Sequence, residues 1–138
     1  MSKKEFKCQL LYEGTASGKA LVSNEAVCFH TVDPKTGCTV EKEHVLYNKP
    51  MGGTMLVAYS GKGSSIVQMA GLYEIVVSKQ APVGVIVRYP DPVLATALLI
   101  MEVPSVFDVE DSFFDEVKDC QTVTITSSNG QAKVILED

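Results

Sequence analysis

Five consecutive residues, Gly61-Lys62-Gly63-Ser64-Ser65, gather the groups in this chain best suited to chemistry. Two glycines let a backbone turn sharply and come close to a ligand. Two serines carry hydroxyls that can lose or gain a proton, and Lys62 brings a positive charge. The apolar stretch Leu56-Val57-Ala58-Tyr59-Ser60 precedes the turn, and an apolar run from Ile66 to Val77 follows it. Ile66, Met69, Ala70, Tyr73 and Val77 share one helical face, at i, i+3, i+4, i+7 and i+11. The order reads as buried strand, glycine-rich turn, helix. The first amides of a helix have no intrahelical partner, and the helix dipole favours an anion beside them. Such an arrangement suits an anionic small molecule and a hydroxyl engaged in proton transfer.

A structural reading stands beside the chemical one. Ser65 with Gln68 three residues on is a capping box, in which the hydroxyl and the glutamine side chain each cover an orphan amide. Spacing alone leaves both readings open. The turn is not a nucleotide P-loop, because the Gly-x4-Gly-Lys-Ser/Thr spacing is absent and Lys62 precedes the second glycine.

The elements that must position this turn follow from the flanking pattern. Val83 to Val87 is a continuous apolar run rich in β-branched residues, the signature of a strand covered on both faces. Strand, helix and strand in this order imply a parallel pair with a right-handed crossover. Ligands of such units collect at the carboxyl ends of the strands. Gly61 to Ser65 lies at one such end and Arg88-Tyr89-Pro90-Asp91 at the next, so Arg88 and Asp91 are candidates to border the same pocket. Asp91 precedes Pro92, which also suits it to cap a helix with proline in the first turn.

Further from the turn, Phe6 to Tyr12 reads as a first strand, Gly18 to Val22 as a second and Val27 to Thr31 as a short third. The segment from Asp33 to Lys49 is polar and irregular, with turn signals at Asp33-Pro34 and Thr36-Gly37. A long loop of this kind is often functional. Pro92 to Met101 is a helix apolar nearly all round, expected to be buried or to face a partner. Val103 to Phe107 reads as extended and Asp111 to Asp119 as an amphipathic surface helix. Gln121 to Thr126 and Gln131 to Leu136 flank Asn129-Gly130, a strong hairpin signal. The sum is a single α/β domain over residues 1–138, with a short parallel core, crossover helices and antiparallel strands at both ends.

Composition narrows the partners. With 138 residues, 46% hydrophobic and 21% charged, the chain is a globular sequence of one-domain size. A formal charge of −5 argues against nucleic acid, whose binding usually shows as a basic surface. No apolar stretch approaches the roughly 20 residues of a membrane span, and no apolar run follows Met1-Ser2-Lys3-Lys4 as in a signal peptide. A cytoplasmic protein is expected. Cys8, Cys28, Cys38 and Cys120 form no CxxC pair, and neither His30 nor His44 completes a metal set. They read as free thiols of a reducing compartment.

Gly-Lys-Gly-Ser-Ser after a hydrophobic strand resembles the Gly-Arg-Gly-Ser-Ser/Thr turn of the aconitase X swivel domain. Gly18-Lys19-Ala20-Leu21-Val22-Ser23, Val32-Asp33-Pro34-Lys35-Thr36-Gly37, Ala81-Pro82-Val83-Gly84-Val85-Ile86-Val87 and Asp91-Pro92-Val93-Leu94 match in the same order, over roughly residues 8 to 107. The resemblance implies a swivelling β/β/α domain and a small subunit in a heterodimer with an aconitase X large subunit. It implies a hydro-lyase that dehydrates a small hydroxy acid, of the 5-phosphomevalonate or 3-hydroxyproline class. Iron or an iron–sulfur cluster is then expected in the large subunit, with no cofactor and no metal ligand in this chain. Carried over by position, Ser64 is the proton acceptor, with Ser65 orienting substrate or capping the helix. The candidate substrate contacts are then Gly61, Lys62, Gly63 and Ser65 of the turn, with Arg88 and Asp91 at the neighbouring strand end. Tyr59, Tyr89, Pro90 and Val93 are candidates for an apolar lip against the partner. Lys62 stands where the family usually has arginine, keeping the charge and losing the bidentate fork. The alternative is a noncatalytic anion-binding or regulatory module of the same fold.

Overall fold

The structure, a computed structural model, describes residues 2–137. Its centre is a parallel set of four strands: β3 (Ala16–Val22), β4 (Met55–Ala58), β5 (Gly84–Val87) and β6 (Ser105–Phe107). Every residue of β4 and β5 is buried, as the unbroken apolar runs require of strands covered on both faces. α1 (Ser65–Val77) crosses over from β4 to β5, and α2 (Pro92–Ile100) from β5 to β6. The helices pack on one face, where Leu72 and Ile75 of α1 and Leu94 and Leu98 of α2 meet Leu56 and Val85. Leu72 and Ile75 are fully buried, and each such side chain stabilises the fold by about 1.5–3 kcal/mol relative to exposure.

Antiparallel strands extend this core on both sides. β7 (Thr122–Ser128) and β8 (Gln131–Glu137) form the expected hairpin, with Asn129 at φ 54° and Gly130 at φ 79° in its turn. The stretch from Phe6 to Tyr12 is not one strand. It divides into β1 (Lys3–Lys7) and β2 (Gln9–Tyr12), which pair with β8 and β6 respectively. The sheet order is β1-β8-β7-β3-β4-β5-β6-β2, so its two edges are separated in the chain by Cys8 alone. The sheet therefore curls upon itself, and β2 comes against β8. Phe6, Met55, Val57, Ile86, Ile125 and Val134 fill the inside of the curl, with Phe113 of α3 (Asp111–Glu116) packed edge-on to Phe6 at 5.3 Å. α3 ends earlier than the expected Asp119, because buried Val117 turns into extended backbone to join that inner cluster.

Val27 to Thr31 departs from the expected strand. Val27 makes one bridge to Gly61, and Phe29–Thr31 then forms a 3₁₀ turn beneath α1. The irregular segment that follows is built of turns, yet it places Leu46 and Met51 in the core under the helices. No helix among the described residues is long and apolar enough to cross a membrane.

The apolar stripe that marks α1 in the sequence points outward. Ile66 is 79% exposed, Tyr73 54% and Val77 60%, while the buried face carries Gln68, Gly71, Leu72 and Ile75. α2 behaves alike: Leu94, Ala97 and Leu98 are buried, and Leu99 and Ile100 are exposed. The inward glycine at 71 is what lets α1 lie so close to the 3₁₀ turn, since a β-carbon there would stand 2.2 Å from the His30 amide nitrogen.

Candidate active site at the glycine turn

The turn leaves the carboxyl end of β4 and is fixed from three sides. The Val27 amide donates to Ser60 O at 2.8 Å, and the Lys62 amide donates back to Val27 O at 3.2 Å. The Gly61 amide donates to Asp91 Oδ2 at 3.1 Å. The two glycines serve different needs. A β-carbon at Gly61 would lie 2.7 Å from Asp91 Oδ2 and 2.8 Å from Leu94 Cβ, so the position has no room for one. Gly63 sits at φ +96°, backbone that side chains disfavour.

Ser64, not Ser65, is the N-cap of α1, and its Oγ accepts from the Val67 amide at 3.4 Å. The expected box of Ser65 and Gln68 does not form. Gln68 turns inward, fully buried, where its Oε1 accepts from the Phe29 amide at 2.8 Å and its Nε2 donates to Val27 O at 2.9 Å. That amide fastens the 27–29 segment beneath the turn. Ser64 and Ser65 are both exposed at the head of the helix.

Asp91 is the expected N-cap of α2, and it also touches the glycine turn. Oδ1 accepts from the amides of Val93 and Leu94 at 3.0 and 3.1 Å, capping α2, while Oδ2 holds Gly61. Its carboxylate is thus committed to backbone amides that join the two helix heads. Arg88 is directed elsewhere: its guanidinium carbon lies 4.8 Å from the Phe114 ring centroid and 5.4 Å from that of Tyr89. Tyr89 and Tyr59 are exposed and pack edge-to-face at 5.0 Å, forming an aromatic pair at the carboxyl ends of β4 and β5.

Lys62 meets a partner that the sequence did not mark. Its Nζ donates to Glu41 Oε1 at 2.6 Å, from a residue of the irregular segment 21 positions away. The only sequence signal was the length of that loop. Hydrogen bonding from Lys62, with a smaller contribution from Thr31, holds the Glu41 carboxyl below its usual range against the opposing effect of burial. A carboxyl lowered on folding stabilises the native state above its unfolded titration and loses that contribution as pH falls through the lowered value. Carbon-detected NMR titration should therefore find the Glu41 midpoint below the ordinary 4.5. A midpoint at or above that value would mean that the pair does not persist in solution.

Beside the serines, the outward faces of α1 and α2 enclose an open groove of about 630 Å³, lined by Ser65, Ile66, Met69, Tyr73, Val93 and Ile100 among others. Among the described residues no group of three or more His, Cys, Asp or Glu side chains is arranged to hold a metal. The four cysteines are free, and burial pushes the Cys8 thiol up to about 11, away from the thiolate that a metal or a nucleophilic role requires.

Comparison with known proteins agrees with this architecture. The aconitase X swivel domain family matches residues 5–134. The phosphomevalonate dehydratase small subunit of Methanosarcina acetivorans is 33% identical over 132 residues, covering 95% of this chain and 91% of its own. The subunit of the same name from Methanocella arvoryzae is 36% identical over 118 residues, covering 85% and 89%. The crystal structure of holo-form aconitase X from Thermococcus kodakaraensis superposes with a TM-score of 0.85 at 26% identity, over 98% of this chain and 99% of the matched one. In sequence and in fold, the chain belongs to the aconitase X swivel domain family.

Proposed function

We propose that the chain is the small subunit of a phosphomevalonate dehydratase-type hydro-lyase, working as a heterodimer with a large subunit and contributing Ser64 as the general base. The names of the relatives support the small-subunit role and the substrate. The observation that carries the catalytic part is the placement of Ser64: an exposed hydroxyl at the head of α1, beside an apolar groove. A serine so placed is presented outward, to a substrate held by another chain.

Dehydration breaks a C–H bond beside a carboxylate and the C–O bond on the next carbon, forms a carbon–carbon double bond and releases water. Ser64 accepts the proton as its alkoxide. Negative charge on Oγ is favoured there by the Val67 amide, which already donates to it, and by the positive end of the α1 dipole. Lys62 offers an ammonium to an anionic oxygen of the substrate. The Gly61 and Gly63 backbone keeps the turn free of side chains, so that substrate can lie close against it. Asp91 keeps the two helix heads in register. Iron or an iron–sulfur cluster supplies a Lewis acid for the leaving hydroxide in such chemistry. Among the described residues no cluster of His, Cys, Asp or Glu fits that group, so the proposal assigns it to the large subunit.

The apolar groove supports an obligate partner, since permanent complexes join through large hydrophobic surfaces. Of the lip expected from the sequence, Tyr59, Tyr89 and Pro90 are exposed and Val93 lines the groove.

Co-expression with an aconitase X large subunit from the same source, followed by dehydratase assays on (R)-5-phosphomevalonate and both 3-hydroxyproline isomers, tests the proposal. The complex should co-purify and turn over phosphomevalonate, and neither subunit alone should do so. A stable complex without turnover on any of these would favour the noncatalytic anion-binding module. Failure to form a complex would remove the small-subunit role altogether.

A further inference from the structure

We propose that Glu41 is a positioning residue, which fixes the Lys62 ammonium at the glycine turn so that it meets an anionic oxygen of the substrate already ordered. The inference rests on the hydro-lyase reading and assigns a task to a residue outside the turn. An exposed lysine ordinarily samples many rotamers, and an exposed ion pair seldom holds it. This pair is anchored at its far end. Glu41 Oε1 takes the Lys62 bond, while Oε2 accepts from Thr31 Oγ1 at 3.0 Å. The Glu41 amide donates to Thr39 Oγ1 at 3.2 Å, and Thr39 is buried. Thr31 Oγ1 also lies 2.9 Å from Cys28 O, and Cys28 packs beneath Gly63 of the turn itself.

The single Thr31 hydroxyl hydrogen serves either Glu41 Oε2 or Cys28 O at one time, and both acceptors hold Thr31 against the segment that underlies Gly63. Each carboxylate oxygen of Glu41 is used, so its place does not depend on Lys62 alone. An ammonium has three donors, and Glu41 occupies one of them. Two remain for substrate, in directions set by the first.

The prediction separates geometry from charge. In the assembled complex, Glu41→Ala should raise KM for 5-phosphomevalonate about tenfold, the effect of losing one coupled contact, with kcat within about twofold. Glu41→Gln still accepts from Lys62 and should recover most of that loss, although its charge is gone. In a Lys62→Ala background, Glu41→Ala should raise KM no further, because the residue acts through Lys62. A Glu41 that merely supported the fold would lower the melting midpoint and would add its cost to that of Lys62→Ala. Unchanged KM in Glu41→Ala, additive effects with Lys62→Ala, or a Glu41→Gln as impaired as Glu41→Ala would each overturn the inference while the parent complex turns over. A parent complex without turnover sinks the hydro-lyase reading, and this inference with it.

Discussion

Replacing Ser64 with alanine should reduce turnover of the assembled enzyme by about 10² to 10⁴, the contribution of a positioned general base. The same change should cost about 1 kcal/mol of stability, because Ser64 is also the N-cap of α1. One substitution therefore removes two functions, and the alanine variant alone does not tell them apart. Asparagine does. It caps a helix as well as serine does, and its amide has no hydroxyl that could become the proton-accepting alkoxide. Ser64→Asn should melt near the parent and remain as inactive as Ser64→Ala. Ser65, in the first turn of the helix and exposed, should tolerate alanine with little change in stability. Should the complex carrying Ser64→Asn run close to the parent rate, the base lies elsewhere.

Gly71→Ala should be the most damaging single methyl in the fold. A helical interior normally gains about 1 kcal/mol from this exchange. Here the added carbon would stand 2.2 Å from the His30 nitrogen, 2.3 Å from the Phe29 carbonyl carbon and 2.5 Å from the His30 Cα. All three are backbone atoms, so no rotamer change relieves the clash. Either α1 lifts from the core or the 3₁₀ turn moves, and overpacking of this kind costs about 1–3 kcal/mol or more. The damage should spread to chemistry, because the Phe29 amide is held by Gln68 and the Val27 amide and carbonyl pin the glycine turn. Denaturant unfolding measures the first effect and turnover of the complex the second. A variant as stable as the parent would show that the helix does not approach the 3₁₀ turn this closely.

Where sequence and structure agree, a local pattern had one outcome. Val83 to Val87 offers no polar residue to face water, so it could only become a strand buried on both sides. Asn129-Gly130 admits positive φ at both positions and so makes a tight hairpin. Where they differ, the deciding contact was distant in the chain. Two adjacent serines made the cap ambiguous by one residue, and Gln68, which suits a capping box, was claimed by backbone groups of Val27 and Phe29. The stripe from Ile66 to Val77 has the period of a core face, and periodicity does not record whether such a face turns inward or outward. Phe6 to Tyr12 contains no turn residue to betray that its halves pair with opposite edges of the sheet. The partnership of Lys62 with Glu41 depends on how a turn-built loop folds back, which no local spacing records.

The one-residue link at Cys8 has a kinetic consequence. β1 pairs from Lys3 to Glu137, and β2 from Gln9 to Phe107, so these strands wait for partners that lie much later in the chain. Contacts of such sequence separation slow folding, because the chain entropy of closing a long loop is lost before any pairing compensates it. Until residues 131–137 have emerged, β1 has no strand beside it, and the Phe6 ring lacks Val134 and Leu136 from its cluster. The nascent chain must then carry an open sheet edge through synthesis, the species most prone to misassociate.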